Sequence, residues 1–113
     1  MAGPAKERPV FALRLSQARE RLGLSQIELG RRAGMDPSVA SPRINQYEKG
    51  QHVPHHATAK RLAKVLGVPT AFLFAEDDQL AKLLLLWAEM SPSERKKLLK
   101  VAGAEAEHQL TNL

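Results

Sequence analysis

Apolar residues recur along this chain at helical spacing, and nowhere do they alternate over the length of a strand. Phe11, Leu15, Ala18 and Leu22 stand at i, i+4, i+7 and i+11, the face of one helix. Gly23 suits the left-handed turn that ends it. Ser25 and Glu28 form an S-x-x-E capping box opening a second helix, with Leu29 and Ala33 inward and Gly34 as its stop. Residues 35–49 are polar and punctuated by prolines, and Gly50 closes them. Ala59, Leu62, Ala63 and Leu66 share one face of a fourth helix that ends at Gly67. A short helical turn over residues 70–74 brings Phe72, Leu73 and Phe74 towards the core. Asp77 or Asp78 caps a sixth helix, QLAKLLLLWAEM. Ser91-Pro92-Ser93-Glu94 opens a seventh, with serine at the N-cap, proline at the first position and glutamate at the third. Aromatic and β-branched residues are sparse, so the predicted fold is all-α.

Composition narrows the classes of function. A chain of 113 residues is one compact unit. Within it, residues 1–10 read as a flexible tail, 11–74 as the main domain and 75–113 as a helical extension whose last residues, 105–113, are expected to fray. The absence of cysteine removes disulfides, thiolate metal sites and a thiol nucleophile. Residues 1–10 lack the apolar run of a signal peptide, and the longest apolar run, residues 83–88, is far too short to span a bilayer. A soluble, cytoplasmic protein is expected. Up to Lys64 there are 12 Lys/Arg against 5 Asp/Glu, and beyond it 5 against 7. A basic N-terminal half points to a polyanion as partner for that half.

The informative order of residues lies between Leu24 and Gly50. For one short helix to lie in a DNA major groove, it must cross its neighbour closely, which needs a small residue midway along the first helix and a glycine to turn the chain. Gly30 and Gly34 fit those two places. Ile44 and Tyr47, three apart, anchor the second helix and leave Arg43, Asn45 and Gln46 facing out. With LSQIELGRRAG (24–34), INQYEKG (44–50) and KRLAKVLGVP (60–69) in this order, the chain resembles the XRE/lambda-repressor-type (Cro/C1-type) helix-turn-helix family over residues 11–74. The resemblance implies a five-helix DNA-binding domain, here followed by one or two additional C-terminal helices. Tyr47 follows Gly34 by thirteen residues, about four more than the family's usual spacing, and in this it is similar to a subset with a longer turn. Two starts for the recognition helix are open. One has Asp36 as N-cap and Pro37 at the first position, and then meets Pro42 inside the helix, where proline removes a hydrogen bond and clashes with the preceding turn. The other has Ser41 as N-cap and Pro42 at the first position, with residues 36–40 as a separate turn. Helix-start preferences favour the second.

The resemblance implies roles. Ser41, Pro42, Arg43, Asn45 and Gln46 would face base edges: arginine bonds guanine O6 and N7, and asparagine or glutamine bonds adenine N6 and N7. Gln26, at the start of the second helix, would meet a phosphate, where a helix N-terminus offers free N–H groups. Lys49, Gln51 and His52 would lie along the DNA backbone. Arg31 and Arg32 form a solvated face, while Arg14 or Arg19 would add long-range attraction. Glu48 looks misplaced beside DNA, and in the family it pairs within the domain. His52, His55 and His56 lie close in sequence but have no fourth ligand at zinc-site spacing, so no metal and no cofactor is expected.

The extension has its own chemistry. Leu80, Leu83, Leu84 and Trp87 share one face of the sixth helix and Leu85, Leu86 and Met90 lie on others, more apolar surface than one contact consumes. Leu83, Leu85, Leu86, Met90 and Leu98 are therefore expected to build a two-fold homodimer that presents two recognition helices to successive major grooves about 34 Å apart. The expected function is a sequence-specific double-stranded-DNA regulator, a repressor on an inverted repeat. The alternative is a protein-interaction module, such as an antitoxin, whose C-terminal helices clasp a partner protein. No triad, paired carboxylates or phosphate loop suggests an enzyme.

Overall fold

The computed structural model describes residues 8–106. Six α-helices and one 3-10 turn follow in order: α1 (Val10–Leu22), α2 (Gln26–Arg32), α3 (Pro37–Glu48), α4 (His56–Leu66), the turn at Thr70–Phe74, α5 (Asp78–Glu89) and α6 (Pro92–Ala106). No strand occurs among the described residues. The caps that the sequence announces are in place. Ser25 Oγ accepts from the Glu28 N–H at 3.1 Å, and Asp77 Oδ1 accepts from the Leu80 N–H at 2.8 Å. Gly23 and Gly67 close α1 and α4 in the left-handed region. At α6 the box is reciprocal: the Glu94 N–H donates to Ser91 Oγ and the Ser91 N–H to Glu94 Oε1.

One core joins α1 to α4 and the 3-10 turn. Leu15, Leu29, Ile44, Leu62, Leu66 and Leu73 are fully buried, each contributing about 1.5–3 kcal/mol of transfer free energy. α2 and α3 meet at Gly30, where a Cβ would stand 2.7 Å from Ala40 Cβ and 3.0 Å from Ala40 Cα. Only hydrogen fits there. Gly30→Ala is expected to lower the unfolding free energy by about 1–2 kcal/mol, since overpacking outweighs the gain in helix propensity. Denaturant unfolding measures this, and a stabilised variant would show that the approach is looser than described.

Three expectations about where elements begin or end need correction. The recognition helix starts at Pro37 with Asp36 as N-cap, and Pro42 lies inside it. Residues 36–40 are therefore no separate turn, and Ser41 is not the N-cap. Asp36 Oδ1 accepts from the Ser38 N–H at 2.8 Å, while Ala40 is fully buried against Gly30. Pro42 removes the bond to the Ser38 carbonyl, a loss placed at an exposed residue of the first turn. Second, the tail reading fails for residues 8–10. Arg8 Nη1 donates to Ser16 Oγ and Glu48 O, Pro9 lies against Gly50, and Val10 begins α1. The rest of the tail, residues 1–7, lies outside the described residues. Third, α6 continues through Ala106, where fraying was expected from residue 105; residues 107–113 lie outside the described residues.

Within the extension α5 covers one edge of the core and α6 leads away from it. α5 docks on the 3-10 turn through Ala81, with Leu84 and Leu85 packed against the core. Leu85 is thus drawn partly inward, because it lies four positions after buried Ala81 on the same face. Leu80, Leu83 and Leu86 stay 47%, 41% and 50% exposed. At the corner, Arg95 returns to α5, donating to the Trp87 carbonyl at 3.0 Å with its guanidinium 5.2 Å from the indole centroid. Beyond that corner Leu99 and Val101 are exposed. The radius of gyration is 16.8 Å, against about 13 Å for a compact domain of this size.

Candidate nucleic-acid interface

α3 divides into two sides along its length. Ala40, Ile44 and Tyr47 are buried, and Tyr47 meets Phe11 edge-on at 6.4 Å. Pro42 and Arg43 are exposed and Ser41, Asn45 and Gln46 half-exposed, so the five residues expected to read bases all reach solvent from one helix. α3 starts at Pro37, four residues and about one helical turn before the start expected at Ser41. Ser38 and Val39 consequently stand at its exposed leading end, and the sequence reading missed both because it placed the start at Ser41. The Ser38 hydroxyl and N–H hold the Asp36 carboxyl below the usual carboxylate range. Its cap is therefore ionised at neutral pH; the stability it adds is present above the ordinary aspartate value and is lost as pH falls through the lower folded value.

An ion pair fixes α3 to the scaffold. Arg19 donates to Glu48 through Nε at 2.6 Å and Nη2 at 3.0 Å, a bidentate clamp, and through Nη1 to the Leu24 carbonyl at 2.8 Å. The Glu48 hydrogen bond raises Arg19 above its ordinary pKa, against the effect of burial. Glu48 is 6% exposed, so its charge is turned into the domain, as the family's pairing implied. Gln26 Nε2 donates to Glu48 Oε1 and to Asn45 Oδ1, each at 3.3 Å. Both side-chain amide hydrogens thus face inward, and Asn45 keeps its own amide donors for the outside. A phosphate at the start of α2 would meet the backbone N–H groups of Gln26 and Ile27, because Ser25 takes that of Glu28.

Neither Arg14 nor Arg19 supplies the long-range attraction expected of them. Arg14 is buried, donating to the carbonyls of Ala75 and Glu76 and to Asp78 and Gln17, which clamps α1 to the start of α5. Arg31 and Arg32 form the solvated face, both paired with Glu28. Lys49, Gln51 and His52 are exposed on the segment leaving α3. Gly50, at φ +76°, makes that turn, and a Cβ there would meet Pro9 Cδ at 2.5 Å. Beyond it Arg43, Gln46, Tyr47, His52, His55 and Thr58 line a polar cleft of 330 Å³ between α3 and the start of α4. No group of three or more His, Cys, Asp or Glu suited to a metal ion occurs among the described residues. No helix among them is long and apolar enough to cross a membrane.

Of the five residues expected to form a dimer, Leu83 and Leu86 are exposed and Leu85, Met90 and Leu98 half-buried, Leu85 packing against the core. Leu80, Leu99 and Val101 are exposed as well and were not in that set.

Comparison with known proteins supplies an independent finding. Residues 15–73 match the helix-turn-helix family. Among solved structures, the crystal structure of transcriptional regulator BswR superposes with a TM-score of 0.79 at 41% sequence identity, covering 87% of this chain and 97% of that one. The curated proteins contain no match.

Proposed function

The chain belongs to the helix-turn-helix family, and on that premise we propose that it is a sequence-specific regulator of transcription, a repressor that binds an inverted repeat in double-stranded DNA as a homodimer. The observation that carries this reading is the outward side of α3: Pro42, Arg43, Asn45 and Gln46 reach solvent while Ala40, Ile44 and Tyr47 lock the opposite side into the core. In this reading Arg43 bonds a guanine edge, Asn45 and Gln46 meet adenine edges, and Ser41 and Pro42 fit the groove between them. The backbone N–H of Gln26, with Lys49, Gln51 and His52, holds phosphates that set the register without reading sequence. Such a protein works where DNA is accessible, in the cytoplasm and on the nucleoid. Enzymatic chemistry forms no part of the reading.

Homodimerisation would use the apolar surface of α5 and α6, chiefly Leu83, Leu86, Met90 and Leu98 together with Leu80 and Leu99. That surface equally supports a second reading, a module that clasps another protein. The two separate in selection of binding sites from a random duplex pool near physiological salt, with the stoichiometry of the winning complex determined. Enrichment of an inverted repeat bound by two chains is expected. Salt-sensitive, sequence-blind binding by a monomer would instead favour the protein-partner reading. Lys49→Ala is expected to weaken binding to all duplexes alike and to lower the slope of log K against log salt by about one. An unchanged slope would remove Lys49 from the backbone contacts.

A further inference from the structure

The leading turn of α3 offers DNA a different chemistry from the rest of the helix. Asp36 Oδ1 accepts from both the Ser38 N–H, at 2.8 Å, and the Ser38 hydroxyl, at 2.6 Å, so the polar groups of this turn are engaged in its own cap. Val39, next in line, is 38% exposed. It stands four residues before Arg43 and seven before Gln46, positions that share a helix face, and exposed Pro42 adjoins it. Val39 and Pro42 lie outside the buried set, Ala40, Ile44 and Tyr47, through which the domain holds α3. In the major groove one base presents an apolar group, the C5-methyl of thymine, and a small aliphatic side chain is its complement.

We infer that Val39 is a specificity-determining residue that contacts the C5-methyl of a thymine in the half-site. The inference rests on the DNA-reading role proposed for α3. At 1.5 Å of rise per residue, Val39 precedes Arg43 by about 6 Å along the helix axis. The thymine therefore lies in the same half-site as the pair that Arg43 reads, close to it. The turn of α3 that precedes Ser41 thus adds one apolar contact to the half-site.

The test replaces, one at a time, each thymine in one half-site of a duplex enriched by selection with deoxyuridine, which lacks the methyl and keeps every hydrogen-bonding group. The wild-type protein is expected to lose affinity about fourfold at one such position, the value of one buried methyl group. Val39→Ala should bind the thymine and uracil duplexes equally there, and Val39→Ile should retain the difference. Because Val39 is partly exposed and outside the core, Val39→Ala should melt with the wild type. A methyl effect that is absent at every thymine, or undiminished in Val39→Ala, overturns the assignment and leaves the DNA reading intact. Failure to enrich any duplex overturns the DNA reading itself, and the assignment with it.

Discussion

Glu48→Ala is expected to lower the unfolding free energy by about 3 kcal/mol, in line with breaking one side of a buried ion pair. The loss has two sources. Arg19, whose side chain is 16% exposed, keeps its charge and its bond to the Leu24 carbonyl but loses both carboxylate bonds. Gln26 loses one of the two acceptors that fix its amide, so its hold on α3 rests on Asn45 Oδ1 alone. Urea unfolding measures the stability term. Combining Glu48→Ala with Arg19→Met should recover part of it, because no buried charge then lacks a partner. A single variant within about 0.5 kcal/mol of the wild type would show that the pair adds little and that hydrophobic packing alone holds α3.

Arg43→Ala is expected to reduce discrimination between the preferred duplex and one altered at a single guanine by about 1–3 kcal/mol, roughly 5- to 150-fold. Arg43 is exposed and makes no side-chain bond among the described residues, so its removal should leave stability untouched and act on recognition alone. Competition binding with the two duplexes isolates the effect. A variant that weakens both duplexes equally would make Arg43 a phosphate contact rather than a base reader.

These predictions use positions that differ in how far the sequence revealed them. The caps at Ser25, Asp77 and Ser91 and the crossing glycine at Gly30 are local signals, and each was readable because a neighbouring residue fixes its role. The start of α3 was not. Local preference penalises proline inside a helix, and so favoured a start at Ser41. What decides the matter is tertiary: Ala40 fits only against Gly30, which requires the turn before Pro42 to be helical already. Charge misled in a similar way at Arg14 and Arg19. Their distribution along the chain suggested a basic surface, whereas their partners, Ala75, Asp78 and Glu48, are 29 to 64 residues away in sequence. On α5 the run of four leucines allowed more than one inward face. Buried Ala81 on the 3-10 turn selects the one containing Leu84 and Leu85.

The most direct test of the account measures affinity for an enriched duplex and for a shuffled duplex of the same composition as salt rises from about 50 to 200 mM. If α3 reads bases, both affinities fall with salt while their ratio stays at about a thousandfold or more. If the two duplexes bind alike at every salt concentration and both lose affinity together, this chain does not read sequence through α3.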